Sequence, residues 1–150
     1  MRIGELMDRD LTSVTENTTL REAIEILSQH NLTGLPVVDE TGILVGFISE
    51  KDIIKASLPG YCDYLSGAAF IPDFNQLSEK LRQKGTEFVG KYMTRKVIAF
   101  SEDDSDLHVA LSLIQKGLKM APVVRKDGSL LGFVSRAHLI EYIMREEPQE

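Results

Sequence analysis

The stretch GLPVVDETGILVGFISEKDII, residues 34 to 54, decides the fold because it returns near the other end of the chain. There it reads MAPVVRKDGSLLGFVSRAHLI, residues 120 to 140, so that Gly46 and Gly132 stand 86 residues apart. A chain that uses one unit twice is expected to build one substructure twice. The identical positions of the first copy are Pro36, Val37, Val38, Gly42, Leu44, Gly46, Phe47, Ser49 and Ile54.

Each copy is predicted to be a β-hairpin that leads into a helix. A short apolar strand is followed by a turn at Gly42 or Gly128 and by a second strand rich in β-branched and aromatic residues. The helix then opens on a serine that can cap it by accepting a backbone N–H. In the first copy Asp52 follows Ser49 by three residues, which suits a helix start whether or not a ligand is present.

An earlier strand and helix complete each repeat. Residues 11 to 15 and 97 to 101 are β-prone, and the approach segments 3 to 7 and 89 to 93 precede them at the same spacing of 86. The next helix of repeat one has Thr19 and Glu22 spaced as a capping box. The residues predicted for its apolar face are Leu20, Ala23, Ile24 and Leu27. Those predicted for the equivalent helix of repeat two are Leu107, Ala110, Leu111 and Ile114.

The apolar face of repeat two follows that of repeat one by 87 residues rather than 86. This spacing predicts that repeat two has one extra residue before the helix and one residue fewer in the loop at 116 to 119. The order strand, helix, strand, strand, helix predicts a mixed α+β fold. One such unit buries too little surface alone, so we expect the two repeats to pack sheet to sheet about a pseudo-two-fold axis.

The predicted organisation is repeat one at 1–58, an insert at 59–86, repeat two at 87–146 and a frayed tail at 147–150. The insert is longer than an ordinary connection. We expect its second half to form a helix with Leu77 and Leu81, ended by Gly85, and the insert to pack on the module or on a partner. Its aromatic residues are Tyr61, Tyr64, Phe70 and Phe74.

Composition limits the classes of function. A net charge of −6 and a pI near 5.1 disfavour general nucleic-acid binding. The chain has neither an apolar run of the roughly 20 residues that span a membrane nor a signal-peptide core, so we expect a soluble, cytoplasmic protein. The single cysteine, Cys62, and three scattered histidines form no recognisable disulfide or metal pattern.

The two copies resemble the cystathionine β-synthase (CBS) domain, and the tandem pair resembles a Bateman module. The resemblance rests on the methionine of each approach segment, the amphipathic helix, the G-x-P-V-V-D-like strand, and G-x-L-x-G-h-h-S followed by x-x-D. It covers residues 1 to 58 and 87 to 146. The resemblance implies a regulatory module, with no obligatory cofactor, that binds AMP, ADP, ATP or S-adenosylmethionine in clefts between the repeats.

The resemblance also implies two ligand sites, in which the serine contacts phosphate, the aspartate holds the ribose hydroxyls, and the residues up to the proline frame the base. The residues implied for the first site are Thr12, Gly34, Leu35, Pro36, Ser49 and Asp52. Those implied for the second are Ile98, Met120, Ala121, Pro122, Ser135, Arg136 and His138.

His138 departs from the family pattern because it stands where the ribose aspartate is expected. A neutral imidazole offers one acceptor nitrogen, where a carboxylate offers two oxygens. His138 is then an exposed helix residue or a ligand contact. If it holds phosphate when protonated, nucleotide affinity rises as the pH falls.

The leading hypothesis is a nucleotide sensor that forms a homodimer and regulates an enzyme or transporter; the alternative is a ligand-free dimeric scaffold. An enzyme is disfavoured, because the chain has no paired carboxylates with a histidine, no Gly-rich phosphate loop and no nucleophile beside a base. We expect the dimer to use apolar residues of the last helix of each repeat. These are Ile53, Ile54, Leu58, Leu139, Ile140, Ile143 and Met144.

Overall fold

The computed structural model describes residues 1–57 and 74–145, apart from the side chains of residues 74–77 and 143. Cys62, the predicted tail and three of the insert's four aromatic residues therefore lie outside the described residues. Repeat one has α1 (Ile3–Leu6), α2 (Leu20–His30), β1 (Gly34–Val38), β2 (Leu44–Ser49) and α3 (Glu50–Ala56). The elements that follow are α4 (Phe74–Lys84), a 3-10 turn (Val89–Lys91), β3 (Phe100–Ser101), α5 (Asp106–Gln115), β4 (Met120–Val124), β5 (Leu130–Ser135) and α6 (Arg136–Arg145).

The mixed α+β class is confirmed, and so is a helix in the insert, α4. In repeat two β3 pairs in parallel with β4, and β4 pairs antiparallel with β5. In repeat one β1 pairs with β2, and the first strand is reduced to one parallel bridge between Val14 and Val37. That bridge lies 86 residues before the pairing of Phe100 with Val123. The two repeats therefore share one register even where one of them forms hardly any strand.

Both hairpins turn at a glycine in the left-handed region, Gly42 at φ 86° and Gly128 at φ 89°. Other residues avoid this conformation because of their Cβ. In the first turn Asp39 Oδ1 accepts from the Thr41 hydroxyl at 2.7 Å and from the N–H of Ile43 at 3.0 Å. Both bonds lower the pKa of Asp39, and the bond from Thr41 has the larger effect.

The predicted apolar face of α5 is wrong for three of its four residues, since only Ala110 packs against the core. Leu107, Leu111 and Ile114 are 66%, 50% and 68% exposed, whereas Val109 and Leu113 are fully buried. The start of the helix explains the error, because the Ser105 hydroxyl accepts from the N–H of His108 at 3.2 Å and so caps it. Thr19 caps α2 in the same way, 86 residues earlier. The spacing of 86 is thus kept, and repeat two has neither the inserted nor the deleted residue.

The chain forms two compact units, and the boundaries of these units differ from those of the two repeats. Unit 1 contains Met1–Ser13, Val38–Val45 and Lys96–Glu150, and unit 2 contains Val14–Val37 and Gly46–Arg95. Each unit therefore combines the helices of one repeat with the approach segment of the other. The predicted packing of one repeat's sheet on the other stays a prediction.

The cores of the two units are built from equivalent positions. Ile3, Val109 and Val123 are fully buried in unit 1, and their counterparts 86 residues away, Val89, Ala23 and Val37, are fully buried in unit 2. The cluster that Ile3, Val109 and Val123 form in unit 1 also contains Leu6, Phe100, Leu113, Ala121, Leu131, Val134 and Leu139. The approach segments are thus part of the core of the unit that each one joins.

Each approach segment, extended here by one residue to 3–8 and 89–94, pairs with the second hairpin strand of its unit. Asp8 and Phe133 exchange two backbone hydrogen bonds of 2.9 Å, and Thr94 and Phe47 exchange bonds of 2.8 and 2.9 Å. Glycines permit this close approach, because a Cβ on Gly132 would overlap the carbonyl oxygen of Asp8 and lie 2.9 Å from Cα of Arg9.

We expect Gly132→Ala to lower the free energy of unfolding by about 2 kcal/mol, because the added methyl group meets backbone that is held by two hydrogen bonds. Gly46→Ala is the matched control: its Cβ would lie 2.5 Å from the sulfur of Met93, the mobile end of a side chain that can rotate away. We expect this variant to cost about 1 kcal/mol or less. Urea denaturation measures both, and an equal or larger cost at Gly46 would contradict the explanation.

Glu87 is the centre of a polar cluster in unit 2. Its carboxylate accepts a hydrogen bond from the Tyr92 hydroxyl and lies 3.0 Å from Nζ of Lys91 and 3.4 Å from Nζ of Lys84. The bond from Tyr92, followed by that from Lys91, lowers the pKa of Glu87 from 4.5 to about 2. The cluster connects α4 to the approach segment of repeat two.

Because the pKa of Glu87 is lower in the folded state, its contribution to stability is complete above pH 4.5 and is lost as the pH falls towards about 2. We expect Glu87→Gln to lower the urea midpoint near neutral pH and to lower it less at about pH 3. The control is Glu79→Gln, at an exposed position of α4. A Glu87→Gln effect that does not change with pH, or that the control reproduces, would refute this role.

Candidate functional site

Ser49 and Asp52 form a complete capping box at the start of α3. The N–H of Asp52 donates to Ser49 Oγ at 3.3 Å, while Asp52 Oδ2 accepts from the N–H and the hydroxyl of Ser49, both at 3.0 Å. The structural role expected of Asp52 is thus present. The Asp52 side chain is half-buried, and its second oxygen, Oδ1, makes no hydrogen bond to the described residues. Oδ1 is therefore available to a ligand.

Three residues of the first predicted site, at positions 34 to 36, are buried in strand β1. Leu35 and Pro36 are buried, and a Cβ on Gly34 would lie 2.5 Å from the ring of Phe47. Gly34 is thus required by packing within unit 2. Thr12 belongs to unit 1, where its hydroxyl donates to Asp10 Oδ1 at 2.6 Å. The first predicted site is therefore assembled within unit 2 except for Thr12.

All seven residues of the second predicted site belong to unit 1. Met120, Ala121 and Pro122 are buried, so their side chains also serve the core. The Ser135 hydroxyl caps α6 by accepting from the N–H of His138 at 3.0 Å. Ile98 is 36% exposed. The side chain of Arg136 is also exposed, and its backbone N–H donates to the Lys119 carbonyl at 3.0 Å.

His138 is packed between an aromatic ring and a carboxylate. Its ring centroid lies 5.4 Å from that of Phe133, and its Nε2 lies 3.9 Å from Asp8 Oδ2. That distance is too long for a hydrogen bond. Nδ1 is buried and has no hydrogen-bond partner in the described part of the chain. The side chain of His138 is 33% exposed, so it is half-buried rather than fully exposed on its helix, and Nδ1 is its buried nitrogen without a partner among the described residues.

A cleft of about 330 Å³ opens beside His138, within unit 1. We call it the α6 cleft; the approach segment forms one wall and α6 the other. Its volume is at the lower end of the range for small-molecule sites. Its lining residues are Leu6, Met7, Asp8, Arg9, His138, Glu141, Tyr142 and Arg145.

Unit 2 has a more apolar cleft of about 410 Å³, which Leu81 of α4 lines together with residues of α2 and α3. It includes Glu50 and Ile53 but neither Ser49 nor Asp52. Of the thirteen residues predicted for the two sites, His138 is the one that lines either of these two clefts.

The α6 cleft carries charges of both signs. Arg145 pairs with Glu141 on α6, and Arg9 donates to the Gly4 carbonyl at 3.0 Å and lies 4.0 Å from Glu102. Asp8 Oδ1 accepts from the N–H of Asp10 at 2.9 Å, which fixes the orientation of its carboxylate. The other oxygen of Asp8, Oδ2, is the one that lies 3.9 Å from Nε2 of His138.

The prediction from sequence missed Asp8. The available signal was the spacing of 86, which aligns Asp8 with Thr94 and His138 with Asp52. A carboxylate is therefore gained in the approach segment where one is lost from the helix. Each change alone resembles ordinary variation, and only the pairing of Asp8 with Phe133 brings the two positions together.

No helix in the described ranges is both long enough and apolar enough to span a membrane. The structure is similar to the crystal structure of CBSX2 of Arabidopsis thaliana in complex with AMP, with a TM-score of 0.73, 25% identity and 96% coverage of both chains. It also matches the CBS domain pair of MJ0100 in complex with 5′-methylthioadenosine and S-adenosylmethionine. There the TM-score is 0.66, with 24% identity over 95% of this chain and 99% of that one.

In sequence the chain is 30% identical to the chloroplastic CBS domain-containing protein CBSX1 of Arabidopsis thaliana, over 92% of its own length and 62% of that protein's. The family model described as CBS domain matches it twice, at residues 3–59 and 89–145. The matched segments begin at the two approach segments and end with the last helix of each repeat. This chain therefore belongs to the CBS domain family and carries a tandem pair of CBS domains.

Proposed function

We propose that this protein is a regulatory module that binds an adenosine-type ligand, AMP, ADP, ATP or S-adenosylmethionine, and acts on a partner protein through a ligand-dependent change of conformation. The observation that carries the proposal is the half-buried Asp52 carboxylate, which is fixed by its own helix cap and keeps one oxygen without a hydrogen bond to the described residues. A fixed acceptor of this kind suits a ligand hydroxyl. The AMP complex of CBSX2 supports the choice of ligand.

The exchange of approach segments offers a route from ligand to partner. Thr94 pairs with Phe47, two residues before the cap of α3, and Asp8 pairs with Phe133, two residues before the cap of α6. A ligand held at either cap therefore acts on a strand that is bonded to the other repeat's approach segment. Differential binding of this kind can shift a conformational equilibrium, and a partner can respond to the shift.

The proposal includes a homodimer formed through apolar helix surface. Ile54, Ile140 and Met144 are exposed, as an interface requires, whereas the expected contributions of Ile53 and Leu139 are wrong because both are buried within their own units. Leu58 and the side chain of Ile143 lie outside the described residues. The proposed interface also includes the exposed apolar residues of α5 in unit 1: Leu107, Leu111 and Ile114.

A ligand-free dimeric scaffold is the second candidate. It is favoured by the closed capping box, which satisfies Ser49 and Asp52 Oδ2 without a ligand, and by His138 in place of a second helix aspartate. A panel of nucleotides separates the two functions, because a ligand that binds only the folded state raises the melting temperature. If no adenosine compound does so, the scaffold replaces the sensor.

We expect Asp52→Ala to weaken AMP binding by roughly 1 to 3 kcal/mol, because a charge-assisted hydrogen bond to the ligand is lost. The measurement is isothermal titration calorimetry. Thr19→Ala is the matched control: it removes a helix cap of similar value, about 1 kcal/mol, from α2. We expect it to lower stability but not affinity. Equal affinity in Asp52→Ala and the unaltered protein would leave Asp52 with its capping role alone.

We expect Leu111→Glu to convert the dimer to a monomer, because a charge in an apolar interface must be desolvated. Analytical ultracentrifugation at micromolar concentration should change from twice 16.8 kDa to 16.8 kDa. Glu25→Lys is the control, at the equivalent exposed position of α2 in repeat one. A monomeric unaltered protein, or a dimer that Leu111→Glu leaves intact, would refute this interface.

A further inference from the structure

The two units carry related polar pairs in which the carboxylate changes place. In unit 2 the helix of repeat one supplies a carboxylate, Asp52, and the approach segment of repeat two supplies a hydroxyl, Thr94. In unit 1 the approach segment of repeat one supplies the carboxylate, Asp8, and the helix of repeat two supplies the imidazole of His138. The backbone pairing is the same in both, Thr94 with Phe47 and Asp8 with Phe133. Each unit thus keeps one carboxylate at this place.

Asp8 and His138 are too far apart to satisfy each other. A hydroxyl oxygen about 2.8 Å from each fits between Nε2 and Oδ2, which are 3.9 Å apart. A neutral imidazole has one donor and one acceptor nitrogen. Nδ1 is buried and has no partner within residues 1–57 and 74–145, so a hydrogen on Nε2 avoids an unpaired buried donor. The pair then presents an N–H donor and a carboxylate acceptor, the two partners that one hydroxyl group uses.

The other charged groups of the α6 cleft do not replace this pair. Arg145 is engaged by Glu141, and Arg9 is engaged by the Gly4 carbonyl. Asp8 is oriented through its other oxygen, Oδ1, by the N–H of Asp10. Tyr142 completes the polar lining.

We propose that the α6 cleft binds a hydroxyl group of the adenosine-type ligand between Asp8 and His138. Asp8 accepts the hydroxyl hydrogen, and Nε2–H of His138 donates to the hydroxyl oxygen. Asp8 is then the ligand-binding carboxylate of unit 1, at a position outside the motif that supplies it in unit 2. This inference rests on the proposed function, since it assigns how one of its two sites holds the ligand.

The test is calorimetric titration of the full chain with AMP in the Asp52→Ala background, which isolates the α6 cleft. We expect this background to retain one AMP site per chain, and Asp8→Asn in it to weaken that site about tenfold or more. Asparagine keeps the oxygen that accepts from Asp10 and removes the charge. Asp10→Asn, which removes the same charge two residues away and outside the cleft lining, should leave the affinity unchanged.

A second variant exchanges the pair. Asp8→Thr with His138→Asp gives unit 1 the combination found at Thr94 and Asp52, and we expect it to bind AMP at least as well as the Asp52→Ala background. Circular dichroism melting verifies folding of every variant.

Two results would overturn the inference alone: AMP binding that Asp52→Ala abolishes completely, or binding in that background that Asp8→Asn leaves unchanged. Failure of the unaltered protein to bind any adenosine compound would instead overturn the proposed function together with it.

Discussion

The fold depends on the backbone pairing of each approach segment with the hairpin of the other repeat. Asp8 and Phe133, like Thr94 and Phe47, exchange two hydrogen bonds, and the approach helices then bury Ile3 and Val89 completely. A unit of this size has little core of its own. Without the exchanged segment, each unit would lose a core side chain and leave a hairpin strand unpaired along one edge. The glycines at 46 and 132 follow from this constraint, because a side chain there would occupy the space of the incoming segment.

The same constraint explains what could be predicted from the sequence. The hairpins, their glycine turns and the serine caps are local features, and the spacing of 86 made the assignments of the two repeats support each other. The apolar face of α5 was missed because that helix has two apolar stripes, and periodicity alone does not say which of them faces the core. The alignment of Ser105 with Thr19 decides between them, since the cap fixes where the helix begins. The exchange of approach segments is non-local and left no periodic trace.

For the candidate site, what the structure confirms is the local structure at the start of α3. Ser49 and Asp52 were found because a helix cap is a short pattern, and the structure gives the cap as expected. The apolar residues Leu35, Pro36 and Pro122 were named through the resemblance, and all three are buried. Asp8 could not be found in this way, because its relation to His138 exists only through a strand pairing 125 residues away in sequence. Asp8 and His138 are thus related by their proximity in the structure and not by a sequence motif.

The two repeats have kept their cores and diverged at their surfaces. Val109 and Leu113 repeat the burial of Ala23 and Leu27. The exposed positions of α5, however, hold Leu107, Leu111 and Ile114, where α2 holds Arg21, Glu25 and Ser28. Apolar side chains at three exposed positions of one helix cost solubility unless another surface covers them. Repeat two also differs at position 138, where histidine stands in place of Asp52 of repeat one. The change at the surface and the change at the α6 cleft therefore fall in the same repeat. The common core keeps both halves in the same fold while they diverge.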